Sequence, residues 1–124
     1  MGRYYTGDIE GKFMFSVQSS DDADFFGSEG HSAYLHYHFD KDDHMTSIDE
    51  GIKECKITLG SWKKKLDTFF KKNNGWNDEM LKDQINLSPE KSKEILGWYA
   101  RLELGEQIKK CVKENGSCSF EAEL

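Results

Sequence analysis

The most specific polar constellation in the chain is His36-x-His38, set in the alternating run Ala33-Tyr34-Leu35-His36-Tyr37-His38-Phe39. Residues two apart on a β-strand project from one face, so two imidazoles placed this way can share a divalent cation. His31, Asp40, His44 and Glu121 are the candidates to complete such a ligand set. No CxxC, HExxH or DxDxDG pattern accompanies the pair, and two histidines on an exposed strand face are ordinary without a metal. Asp8-Ile9-Glu10-Gly11-Lys12 carries the residue types of an Asp…Glu-x-Lys nuclease core, in which carboxylates hold a cation and the lysine orients water. Here both carboxylates fall in one glycine-flanked turn, and the neighbouring acids repel substrate phosphates. Neither Cys55 nor Cys111 has a histidine partner in sequence, and Cys118 faces inward by pattern, so no thiol nucleophile is expected. These residues predict a protein that is not an enzyme and has no resident cofactor, with a divalent metal on His36 and His38 as the alternative.

Charge points to binding instead. The chain has 124 residues and a net charge of −6, but residues 1–50 hold 11 acids against 3 bases, a balance of −8, while the remainder stands at +2. The acids gather in Asp21-Asp22-Ala23-Asp24, in Asp40-Lys41-Asp42-Asp43 and in Asp49-Glu50. Such a surface repels nucleic acid and speeds association with a basic partner. Asp21, Asp22, Asp24, Asp40, Asp42 and Asp43 are therefore the candidate docking residues, with Tyr4, Tyr5 and Phe25 as aromatic anchors beside them. Lys63, Lys64, Lys65, Lys71 and Lys72 suit a solvated helix end better than a nucleic-acid footprint.

The elements that must position these residues are legible from spacing. Ile48, Ile52, Cys55, Leu59, Trp62, Leu66 and Phe69 recur at steps of four and three, which predicts one helix over 47–74 with a single apolar seam. Ser47 and Glu50 form its capping box, and Asn73-Asn74-Gly75 its stop. Lys12–Gln18 and Ala33–Phe39 alternate as strands; Ser19–Gly27 reads as a short helix, and Tyr4 and Tyr5 fall among turn residues. A short helix is expected over Asn77–Ile85 behind an asparagine cap. Pro89 occupies the favoured first position of a long helix to Glu114 whose apolar face is Ile95, Tyr99, Leu102, Ile108, Cys111 and Val112. A final strand over 117–124 turns Cys118, Phe120, Ala122 and Leu124 inward. The predicted fold is α+β, a single domain over 1–124. It is a small, mostly antiparallel sheet of three or four strands with two long helices packed on one face and one or two short ones. A seam of this kind can also be buried between two copies, so a homodimer or a self-associating scaffold is a further expectation.

Three widely spaced cysteines fit a reducing compartment, and there is no signal-peptide pattern or run of 18 apolar residues, so the cytoplasm and no membrane contact are expected. The opening GRYYTGDIEGKFMFSVQSSDDADFFG, residues 2–27, resembles the start of small proteins carried by bacteriophages and related mobile elements. More broadly, a short, acidic, single-domain chain without catalytic motifs resembles phage-encoded inhibitors of host defence, including anti-CRISPR proteins. That resemblance implies action in the host-cell cytoplasm by binding, an acidic surface occupying the basic channel of a nucleic-acid-handling effector. With 17 basic residues in the chain, mimicry of DNA would be confined to the first 50 residues.

Overall fold

A computed structural model of the protein describes residues 4–14, 22–27 and 35–122. Strands β1 (Tyr4–Gly7) and β2 (Gly11–Lys12) form a hairpin, a 3-10 helix spans Asp22–Phe26, and strand β3 covers Leu35–Asp40. Four helices follow, α1 (Lys41–Leu59), α2 (Ser61–Lys72), α3 (Asp78–Ile85) and α4 (Pro89–Asn115), before strand β4 (Ser117–Ala122). The sheet is antiparallel in the order β2-β1-β4-β3. Among the described residues this is the α+β architecture expected, with the long helices α1 and α4 packed against each other.

Strand β4 shows why the pattern works. Cys118, Phe120 and Ala122 are buried while Ser119 and Glu121 alternate outward, and Tyr37 and Phe39 of β3 meet Phe120 and Cys118 in register on the inner face. Phe120 lies between the rings of Tyr37, Phe39 and Tyr5 at centroid distances of 5.4, 6.2 and 5.7 Å. The strand expected over Lys12–Gln18 is paired only at Gly11–Lys12 among the described residues; Phe13 is nevertheless buried, stacked on Tyr5 at 4.4 Å. Residues 15–18, Ala33, Tyr34, His31 and Leu124 lie outside the described residues. The stretch around Tyr4 and Tyr5, expected as turn, is a strand. Gly7 ends it at φ +118°, where a Cβ would lie 2.8 Å from the Ser119 carbonyl oxygen, so only glycine lets β1 approach β4 there.

Two boundaries of the seam helix differ from expectation. The helix begins at Lys41, not Ser47, because Asp40 in extended conformation (φ −106°, ψ 147°) serves as its cap and Asp42 and Asp43 occupy the favourable first turn. Its cap N–H is taken by the side chain of His44, whose Nδ1 accepts from Asp40 N at 2.9 Å. Ser47 sits inside the helix, its hydroxyl shared between the carbonyls of Phe26 and His44 at 3.0 and 2.9 Å. The helix then breaks at Gly60 (φ +56°, ψ −129°), a conformation β-carbon-bearing residues avoid, and restarts as α2. The seam survives the break: Ile48, Ile52, Cys55, Leu59, Leu66 and Phe69 are all buried within the chain, with Trp62 half-buried. That leaves the seam no free face for a second copy, so the dimer expected from it has no support here.

The helices expected over 77–85 and from Pro89 are present, and Asn77 caps α3 by accepting from Met80 N at 2.8 Å. Helix α4 ends at Gly116 in the left-handed region, φ +84°. Tyr99, Leu102, Ile108, Cys111 and Val112 are buried as expected, Ile95 is half-buried, and Leu96, Ala100 and Leu104 join them.

Helices α2 and α4 are tied by Asp67, which accepts from Lys63 Nζ at 2.6 Å and from the Tyr99 hydroxyl at 2.7 Å. Burial alone would raise the Asp67 pKa, but those two donors outweigh it and hold the carboxyl below its ordinary value. A carboxyl with a lower pKa folded than unfolded stabilises the fold above its unfolded value and loses that contribution as pH falls through its folded value. Glu103, raised by burial and by the charges of Glu106 and Asp67, works in the opposite sense. The Asp67 contribution to urea midpoints is therefore expected to fall from about pH 6 down to pH 3, and Asp67→Asn to lose less, or gain more, than the parent over that range. The slope should be shallow, since the Asp67 side chain is 43% exposed and screened by solvent.

Candidate functional site

The acidic residues singled out by sequence divide sharply once placed. Asp22 is 6% exposed and accepts from Arg101 Nε of α4 at 2.8 Å, while the guanidinium carbon lies over the rings of Phe25 and Trp98, 4.7 and 4.6 Å from their centres, the two rings themselves meeting edge to face. Asp22 is therefore a core residue and not part of a docking surface: a carboxylate withdrawn from water needs a partner, and Arg101 supplies it. Phe25 is likewise half-buried, its ring edge to face with Trp98. Asp24 is exposed but accepts a hydrogen bond from the hydroxyl of the fully buried Tyr37, tethering the 3-10 helix to β3. Tyr5 is buried at 6%, against the expectation of an anchor, whereas Tyr4 is 49% exposed on β1. Asp21 lies outside the described residues.

Asp40, Asp42 and Asp43 stay together at the start of α1, and Asp42 and Asp43 are exposed. Following the helix from Asp43 brings Glu50, Glu54 and Ile57 to the same side, within about 60° of arc on a 3.6-residue helix and over a length of about 21 Å. All four are exposed, Ile57 at 70%. Glu54 and Ile57 were missed by reading charge runs alone; the 3.6-residue period applied to the polar positions of α1 would have found them. Beside Ile57 a shallow groove of about 460 Å³ is bounded by Lys53, Lys56 and the Asp49–Lys109 ion pair, whose atoms are 2.8 Å apart.

The histidine pair is partly engaged. His38 contacts the Ser119 hydroxyl through Nδ1 at 2.6 Å and Asp40 through Nε2 at 2.9 Å, so both ring nitrogens already have partners. The register sets His36 opposite Glu121. His44 is committed to the α1 cap. The described residues whose ligating atoms gather are different ones: Asp8, Cys111 and Cys118, all within 4.8 Å of one another. All three cysteines are free and buried. Burial pushes the Cys55 thiol up to about 12 despite Arg101 nearby, and burial together with Cys111 and Asp8 raises Cys118 well above the ordinary thiol range. Neither is a ready nucleophile.

The lysines expected as a solvated face are exposed at positions 64, 65, 71 and 72. Lys64, Lys65 and Lys72 also rim a groove of about 550 Å³ between α2 and α3, floored by Phe69 and Ile85. No helix among the described residues is long and apolar enough to cross a membrane. No family model matches the sequence, and searches of curated proteins and of solved structures likewise give no match.

Proposed function

We propose that the chain is a non-enzymatic binding protein that docks on a basic, nucleic-acid-handling host effector through the exposed face of α1, acting as an inhibitor of the anti-CRISPR kind. The observation that carries this reading is the row Asp43–Glu50–Glu54–Ile57: three carboxylates in line on a rigid helix, closed by an exposed isoleucine. Carboxylates at roughly one-turn and two-turn steps can follow a line of lysines and arginines in a phosphate-binding channel, and the isoleucine adds apolar contact where charge alone gives rate more than affinity. Asp42 widens the acidic end. The acids that hold the core together, Asp22 and Asp24, take no part.

The test is inhibition of target-DNA cleavage by a panel of RNA-guided nucleases purified from bacteria, with the protein added before DNA. Inhibition is expected for at least one member, weakening as salt rises. The triple substitution Asp43→Lys, Glu50→Lys, Glu54→Lys should reduce inhibition at least ten-fold while leaving the circular dichroism spectrum and thermal midpoint close to the parent. Inhibition unchanged by the triple reversal, or absent across the panel at low salt, would overturn the reading.

A further inference from the structure

We propose that Asp8, Cys111 and Cys118 form a binding site for one thiophilic divalent cation of the zinc class. The three residues come from distant parts of the sequence and are brought together by fixed elements: Cys111 from the last turns of α4, Cys118 from the start of β4, and Asp8 from the residue that follows β1. The turn at Gly116, with φ +84°, reverses the chain between the two cysteines. Their donor atoms lie within 4.8 Å of one another, against the roughly 3.3–3.8 Å separations that a tetrahedral ion with bonds of about 2.0–2.3 Å requires, so binding draws the set together by about 1 Å. Two sulfurs and one carboxylate oxygen are the donor mixture zinc takes, and harder cations such as magnesium do not.

The surroundings are those of a held ligand set. Asp8 is clamped to β4 at two points, its N–H donating to the Ser119 carbonyl at 2.8 Å and its Oδ2 accepting from Ser119 N at 2.8 Å. Asn115 Nδ2 points at Cys111 Sγ from 3.8 Å, a donor that would steady a thiolate. A cleft of about 290 Å³ reaches the cluster from solvent, and its walls include Asp8, Glu10 and Glu114 against the single Lys110, so it favours entry of a cation. On binding, each thiol gives its proton to solvent and the sulfur lone pair to the ion; nothing is oxidised. Two thiolates and a carboxylate leave the loaded site at −1, with a fourth position for water.

The experiment is a cobalt titration of the full chain, purified without a histidine tag and kept reduced. Cobalt(II) reports its own ligands: thiolate coordination gives a near-ultraviolet charge-transfer band, and four-coordinate geometry gives intense visible bands. One equivalent is expected to bind with both signatures, and zinc to displace it. Cys111→Ser and Cys118→Ser should each weaken binding about a hundred-fold or more, and Asp8→Asn about ten-fold while keeping the charge-transfer band. His38→Ala should change nothing, which separates this site from the histidine face. Should the cysteine variants fail to fold, Asp8→Asn decides alone, because its side chain is at the surface. Absence of the charge-transfer band at one equivalent, or Asp8→Asn binding with the parent's affinity, would overturn the proposal.

Discussion

Phe26→Ala is expected to remove about 3–5 kcal/mol of stability, the usual cost of deleting a fully buried aromatic ring. The ring is 0% exposed and is wedged between two helical glycines. A Cβ on Gly51 of α1 would lie 2.7 Å from Phe26 Cδ1, and one on Gly105 of α4 would lie 2.5 and 2.6 Å from Cε1 and Cζ. The two glycines thus form the slot that lets α1 and α4 close around the ring. In the parent, Gly105→Ala should cost about 1–3 kcal/mol through overpacking. In the Phe26→Ala background the same change should become neutral or stabilising by up to about 1 kcal/mol, since alanine favours helix and now fills space. Urea unfolding of the four proteins in this cycle measures the coupling, and a Gly105→Ala effect of the same sign and size in both backgrounds would refute the slot.

Arg101→Ala should cost about 3 kcal/mol, the lower end of the range for breaking a buried ion pair, because the Arg101 side chain is 28% exposed while Asp22 is 5% exposed. Arg101→Lys restores the charge but neither the planar fork nor the guanidinium's contacts with the rings of Phe25 and Trp98, so it should recover only part of the loss. Asp22→Asn/Arg101→Ala should lose less than the sum of the two single changes. Thermal midpoints track these differences. A loss under about 1 kcal/mol for Arg101→Ala would mean that the 3-10 helix is held by its other contacts, the Phe26 ring and the Tyr37–Asp24 and Ser47–Phe26 hydrogen bonds, and not by the ion pair.

These two residues also show where the sequence is readable and where it is not. Period-two alternation located β3 and β4, and the seam from Ile48 to Phe69 named six buried residues correctly, since both follow from which side of a local element faces the core. Local chemistry found the start of α4 at Pro89 and the cap at Asn77. The run Asp21–Asp24 misleads because the partner that draws Asp22 inward, Arg101, lies 79 residues away. The start of α1 is hidden for the opposite reason: Asp42 and Asp43, good first-turn residues, lie ahead of Ser47 and Glu50, which offer a capping box of their own too late in the chain. Strand β1 has only four residues and one buried side chain, too few for a period to show. The acidic end of α1 was legible as composition, but its row reaching Ile57 needed the helix boundaries, and the meeting of Asp8, Cys111 and Cys118 needed the sheet.

The strand order carries a consequence for how the molecule comes into being. Strand β4 lies between β1 and β3 and is the last of the three to be synthesised. Until it is made, β3 has no sheet neighbour among the described residues and β1 has only the two-residue β2. Tyr5 finds its cross-strand mate in Ala122, more than a hundred residues away, so closing that loop carries an entropic toll of about 4 kcal/mol that local helix formation never meets. The helices can form as they emerge, while the sheet waits, a topology that slows folding. During that wait the half-apolar strand LHYHFD keeps an open backbone edge. Its two histidines and terminal aspartate are then gatekeepers, discouraging one nascent chain from pairing with another before its own last strand arrives.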